Sequence, residues 1–160
     1  MCIAMRWILF LALFMAVSSG PEVKIYKGTS TFFSDVLYTV RGGKVYKERS
    51  TFSSDIVCSV VGQEIHEGDS KFTSSVRYTV RDGQVYMGTS QYTSDILLTI
   101  RDGRIYRGTS TYNQDILATI RDGKVYAGTS QYTSDIRFTF DGPLLLEEFV
   151  AVWFAVMYVW

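Results

Sequence analysis

A chain of 160 residues with 47% apolar content is one domain, long enough to bury a core. Sixteen basic and sixteen acidic side chains cancel, so no net field draws the molecule to nucleic acid or another polyanion. Only two prolines argue against a disordered linker, and the aromatic share of 15%, mostly Tyr and Phe, favours β-structure.

Met1–Gly20 reads MCIAMRWILFLALFMAVSSG: one Arg6, an apolar run Trp7–Val17, then Ser18, Ser19 and Gly20. This is the pattern of a secretory signal peptide, with cleavage expected near Ser18–Gly20. An uncleaved membrane anchor and an upstream extension from a mis-chosen start codon are the other two readings. The first two place the chain outside the cytoplasm (secreted or periplasmic) or on a membrane; the third leaves it cytoplasmic. Cys2 lies in this segment and Cys58 stands alone, so there is no disulfide framework and no zinc spacing. Cys58 reads as a small buried hydrophobe.

From Ile25 the chain repeats every twenty residues, with units opening at Ile25, Val45, Ile65, Val85, Ile105 and Val125. Such self-similarity fixes the fold class before any other signal. Within a unit the pattern has period two: Ile96, Leu98 and Ile100 are expected on one face, and Leu97, Thr99 and Arg101 on the other. Asp82-Gly83, Asp102-Gly103, Asp122-Gly123 and Gly42-Gly43 follow such strands, with Val61-Gly62 as a worn copy. Asp-Gly between alternating strands predicts a type I′ hairpin, setting Val80 opposite Val85 and Thr79 opposite Tyr86. The segment Gly-Thr-Ser-x-Tyr/Phe-x-Ser-Asp then reverses the chain. Each unit therefore supplies two antiparallel strands, twelve in all. The second unit departs most, with Glu48-Arg49 for Gly-Thr, and the third has Ser75 for Asp.

The tail, Leu144–Trp160, has no charged side chain after Glu148, so a helix here has no face for water. Phe149–Trp160 as a helix covers only ~18 Å, against ~30 Å of bilayer hydrocarbon. Twelve strands leave two exposed edges unless the sheet closes, and a closed twelve-stranded barrel has a radius of about 12 Å. The bore left inside the wall, ~10–14 Å, matches the ~10–12 Å width of a helix. Asp141 is expected to cap the helix, with Pro143 in its first turn. The helix enters at the Asp-Gly rim and leaves with Tyr158, Val159 and Trp160 beyond the wall. The predicted fold is mainly β: a closed or nearly closed twelve-stranded antiparallel barrel of six hairpin repeats around a hydrophobic C-terminal α-helix. Its parts are 1–20 (leader or anchor), 21–141 (barrel) and 142–160 (helix).

The repeat Val-Tyr-x-Gly-Thr-Ser-x-Tyr-x-Ser-Asp-Ile…Thr-Ile-Arg-Asp-Gly, running from Ile25 to Asp141, resembles the hairpin repeats of the bacterial β-flower proteins. The architecture is also similar to the tubby C-terminal domain and the phospholipid scramblases, though no motif of either matches residue by residue. That likeness implies an association with membranes or lipids, and a likeness of fold is a weak warrant for function.

His66, the single histidine, fills a slot that is Tyr in the other units and has no catalytic constellation. Asp35, Asp55, Asp95, Asp115 and Asp135 sit in the reversal segments, where turn capping explains them without a metal. Gly-Thr-Ser precedes no helix, unlike a phosphate-cradling loop. Arg41, Lys44, Arg81, Arg101, Arg104, Arg121 and Lys124 gather on the Asp-Gly rim as candidates for lipid phosphates. The plainer reading of that rim is pairing with adjacent carboxylates. The expected protein is a non-enzymatic, membrane-associated or lipid-binding module, monomeric, without cofactor, metal or nucleic-acid partner. The competitor is a structural or protein-interaction repeat coiled as a β-solenoid.

Overall fold

A computed structural model describes residues 21–158. The leader or anchor expected at 1–20, and Val159 and Trp160, lie outside the described residues.

The chain forms twelve strands: β1 Val23–Lys27, β2 Val36–Arg41, β3 Lys44–Lys47, β4 Ile56–Val61, β5 Glu64–Glu67, β6 Val76–Arg81, β7 Gln84–Met87, β8 Ile96–Arg101, β9 Arg104–Arg107, β10 Ile116–Arg121, β11 Lys124–Ala127 and β12 Ile136–Phe140. Among the described residues one α-helix, α1, spans Leu146–Tyr158, and a one-turn 3-10 helix lies in the reversal segment of each unit. All pairings are antiparallel and sequential, and β1 closes the barrel on β12, so a solenoid of open rungs is excluded. Asp82 and Gly83 both take positive φ, 50° and 76°, as a type I′ turn requires. A Cβ at Gly83 would lie 2.6 Å from the Ile100 carbonyl oxygen, which fixes glycine there. In the second unit the turn is Gly62-Gln63 rather than Val61-Gly62. Val61 is still in β4, opposite Glu64, and glycine holds the first central position.

The strict alternation expected within a strand does not hold. Thr79 faces Tyr86 in one hairpin, but Tyr86 then pairs with Ile96 while Val85 pairs with Leu98. One extra residue, Leu97, makes a β-bulge, and the same shift recurs wherever a unit's short strand meets the next long one. A bulge bends and twists the strand, which helps a sheet to close. Its consequence is that Val36, Ile56, Val76, Ile96, Ile116 and Ile136 turn to the outer wall, each opposite the Tyr or His of its unit. They are buried there, outside the barrel's core.

The core is the inner wall plus α1. Phe149 through Ala155 are buried on every side of the helix. Tyr38, Cys58 and Tyr78 occupy one inward slot on β2, β4 and β6 in large–small–large order, and α1 lies nearest this part of the wall. Tyr78 stacks on Phe154 at 3.8 Å between centroids, and the Tyr38 hydroxyl donates to the Ala155 carbonyl at 3.0 Å. The helix begins later than expected and Asp141 does not cap it. Instead the Glu148 carboxylate accepts from the Leu145 N–H at 3.1 Å, as the third residue of a capping box does. Asp141 accepts from the Lys24 N–H at 2.7 Å and the Tyr26 hydroxyl at 3.0 Å, pinning the β12–β1 seam.

Burial pushes the Cys58 thiol up to about 12, and raises the Tyr38 and Tyr78 phenols above their ordinary value. A raised value in the fold means that the neutral form is the one held. The stability this gives is complete below the unfolded-state values of about 9–10 and is lost as pH climbs through the folded ones. Urea midpoints should therefore fall steadily above about pH 10, and Cys58 should resist a thiol reagent at pH 8 until the protein is unfolded. Truncation at Asp141 strips the plug from the core. The barrel should then be insoluble, or bind a hydrophobic dye without a cooperative melt; a sharp melt in soluble truncated protein would contradict the packing described.

Candidate functional site

The barrel has two unlike ends. At the turn end, Asp141 and the start of α1 meet the Asp-Gly hairpins. Of the seven cations expected to form a ring there, Arg41, Arg81 and Arg121 lean over Tyr46, Tyr86 and Tyr126 on the outer wall, 4.9, 4.3 and 4.7 Å from the ring centroids. Arg81 also donates to the Ser90 carbonyl, and Lys44 pairs with Asp69 at 2.6 Å. Arg101 sits 3.4 Å from its neighbour Asp102. Arg104 and Lys124 form no ion pair among the described residues.

At the opposite end α1 emerges. Val156 and Met157 are half-buried and Tyr158 is exposed. The last described turn carries no basic residue of its own, at the end where the helix dipole is negative. The barrel lip supplies the cations. Lys47 stands opposite Tyr38, Arg107 opposite Leu98 and Lys27 opposite Phe138, so all three rise from the inner face beyond the core. All three are exposed, and their side chains make no ion pair among the described residues. Arg137 reaches the helix tip, with Nη1 3.6 Å from the Met157 sulfur, and Arg77 pairs with Glu67. The seven turn-end cations and the Tyr158 tip thus lie at opposite ends, and one flat surface meets one set or the other.

The loops of the tip end fold back over the outer wall. In every unit a Thr or Ser hydroxyl holds the first loop carbonyl at 2.7–2.8 Å, from Thr39 to Glu48 through Thr139 to Gly28. The recurring aspartates accept from the serine five residues earlier at 2.5–2.6 Å. They are loop clips, not a shared cluster. In the third unit His66 takes over: its Nδ1 lies 3.1 Å from Ser75 Oγ and 3.2 Å from the Phe72 carbonyl, and its Nε2 lies 3.3 Å from Glu64. So two departures of that unit, His66 and Ser75, compensate each other.

These loops raise a feature the sequence reading missed. Phe32, Phe52, Phe72, Tyr92, Tyr112 and Tyr132 are 71–77% exposed, one per unit, a girdle of six rings. Their sequence signal was an aromatic in a reversal segment with no period-two neighbour to bury it against.

The sixfold pattern is also broken where the first two units meet. Between the first two units, Lys27, Lys47 and Arg49 line a half-open pocket of about 470 Å³, with Asp35 and Glu48 also on its wall. Leu37, Tyr38 and Val57 give it an apolar floor. Arg49 lies flat on Phe33, its guanidinium carbon 3.8 Å from the ring centroid. Glu48 holds φ 49°, where the other units have glycine. The pocket is of small-molecule size.

A family model described as a 6-fold beta flower protein matches residues 23–153. No curated protein and no solved structure matches the chain. The girdle rings touch solvent rather than core, so replacing Tyr92, Tyr112 and Tyr132 together by Ser should shift the unfolding free energy by no more than about 0.5 kcal/mol per site. A larger loss on denaturant titration would show that the rings hold the loops in place.

Proposed function

This chain belongs to the 6-fold β-flower family, and from that premise we propose that it is a non-enzymatic module that associates with membranes through the tip end of its barrel. The observation that carries this reading is an apolar helix end set inside a lip of unpaired cations, Lys27, Lys47 and Arg107, with six exposed aromatic rings on the surrounding loops. Each part matches one layer of a lipid surface. Apolar side chains enter the acyl boundary, aromatic rings favour the interface, and exposed Lys and Arg meet lipid phosphates.

The tip end serves this reading better than the turn end, where most cations already lie on tyrosine rings or against carboxylates. The contact proposed is peripheral; no helix among the described residues is long and apolar enough to cross a membrane. Among those residues no group of three metal-binding side chains comes together either.

Flotation with vesicles of neutral and of anionic lipid tests the reading. Binding should be stronger to anionic vesicles and weaken with salt. Charge reversal at Lys27, Lys47 and Arg107 should weaken it by about 1 kcal/mol per residue. Failure to float with either vesicle would leave a protein-interaction module in its place.

A further inference from the structure

The six units act as controls for one another, and their differences converge. Slot by slot, Phe33 replaces Ser, Thr or Asn, Glu48 replaces Gly, and Arg49 replaces Thr or Asp. Each substitution is confined to its own unit, yet all three meet in the one region where the first two units touch. Arg49 stacks on Phe33, and Glu48 and Arg49 line the same pocket.

Glu48 is also a costly choice. Its φ of 49° lies in the left-handed region, which a side chain disfavours and which Gly28, Gly68, Gly88, Gly108 and Gly128 occupy without strain in the other units. The loop itself does not need a carboxylate there, because Thr39 bonds to the Glu48 backbone carbonyl as its counterparts bond to glycine. A strained residue kept where the fold works better without it points to a ligand.

The pocket's chemistry says which ligand. Lys27 and Lys47 bring two ammonium groups that make no ion pair among the described residues. Stacking on Phe33 orients the Arg49 guanidinium and leaves its N–H edge free for an oxyanion. Asp35 and Glu48 present carboxylates to the same space; Asp35 is already tied to Ser30, while Glu48 has no partner among the described residues. Three cations and two carboxylates on one wall match a ligand bearing charges of both signs better than a simple anion. Below them, Leu37 and Val57 offer an apolar floor.

We propose that this pocket binds a phosphate ester bearing a primary amine, the phosphate held by Lys27, Lys47 and Arg49 and the ammonium by Glu48. That its source is the headgroup of an ethanolamine lipid rests on the membrane reading above; the charge match does not.

The test compares the full chain with the double variant Glu48→Gly, Arg49→Thr, which restores the sequence of the other units and so is expected to fold. Calorimetric titration with soluble O-phosphoethanolamine, glycerol phosphate and inorganic phosphate should show O-phosphoethanolamine binding at least about tenfold tighter than the other two, a difference of about 1.4 kcal/mol. The double variant should lose that preference while its Tm rises. Equal binding of all three probes, or unchanged binding by the double variant, overturns the proposal. Flotation on vesicles with and without phosphatidylethanolamine separates the two readings. Soluble-probe binding without flotation upholds the pocket and removes the lipid source; flotation without probe binding upholds the membrane reading and removes the pocket.

Discussion

The structure depends on a joint that no turn makes. Five hairpin turns tie long strands to short ones, but β12 and β1 come from opposite ends of the repeat array and meet only through non-covalent pairing. That seam repeats the loop bond of the other joints and adds a carboxylate of its own. Thr139 holds the Gly28 carbonyl as Thr79 holds that of Gly88, while Asp141 fills the slot that is Arg81, Arg101 and Arg121 in other units and accepts from the Lys24 N–H and the Tyr26 hydroxyl. Open, the sheet would have two unpaired edges and an apolar face that water must cover. Closed, it encloses a helix that has no polar side to show. Neither half is stable as drawn without the other.

Repetition separates residues that build the barrel from residues that do something else. Inward valines and isoleucines, loop-clipping Ser–Asp pairs and the threonines of the outer wall recur because each unit solves the same packing problem. His66 looks exceptional, but Ser75 changes with it and the buried imidazole keeps a hydrogen-bonded place. Phe33, Glu48 and Arg49 are different: they repair nothing in the wall, and one of them strains the backbone.

Much of the fold was legible because its signals are local. Asp-Gly turns, the twenty-residue period and an apolar tail with no wet face can each be read from one stretch of chain. The bulge was not legible in that way. Whether Ile96 faces in or out depends on whether its partner strand matches it one-for-one or two-for-one, and period-two counting assumes the first. The candidate site was harder still. The turn-end cations were visible as a cluster, but their tyrosine partners lie across a strand on the outer wall. The lip residues Lys27, Lys47 and Arg107 each end a short strand of a separate unit, and nothing local marks them as members of one rim. The opposition of the two ends did follow from chain direction alone, since a helix entering among the turns must leave among the loops.

The enclosed helix also has a consequence for how many copies the chain can carry. Adding or removing one hairpin changes a barrel's radius by about 2 Å, since the circumference grows by two strand widths. With α1 as a mandrel, five units pinch the wall onto it and seven leave a void around it. The tail therefore works as a gauge that reads the copy number of the array and rejects every value but six.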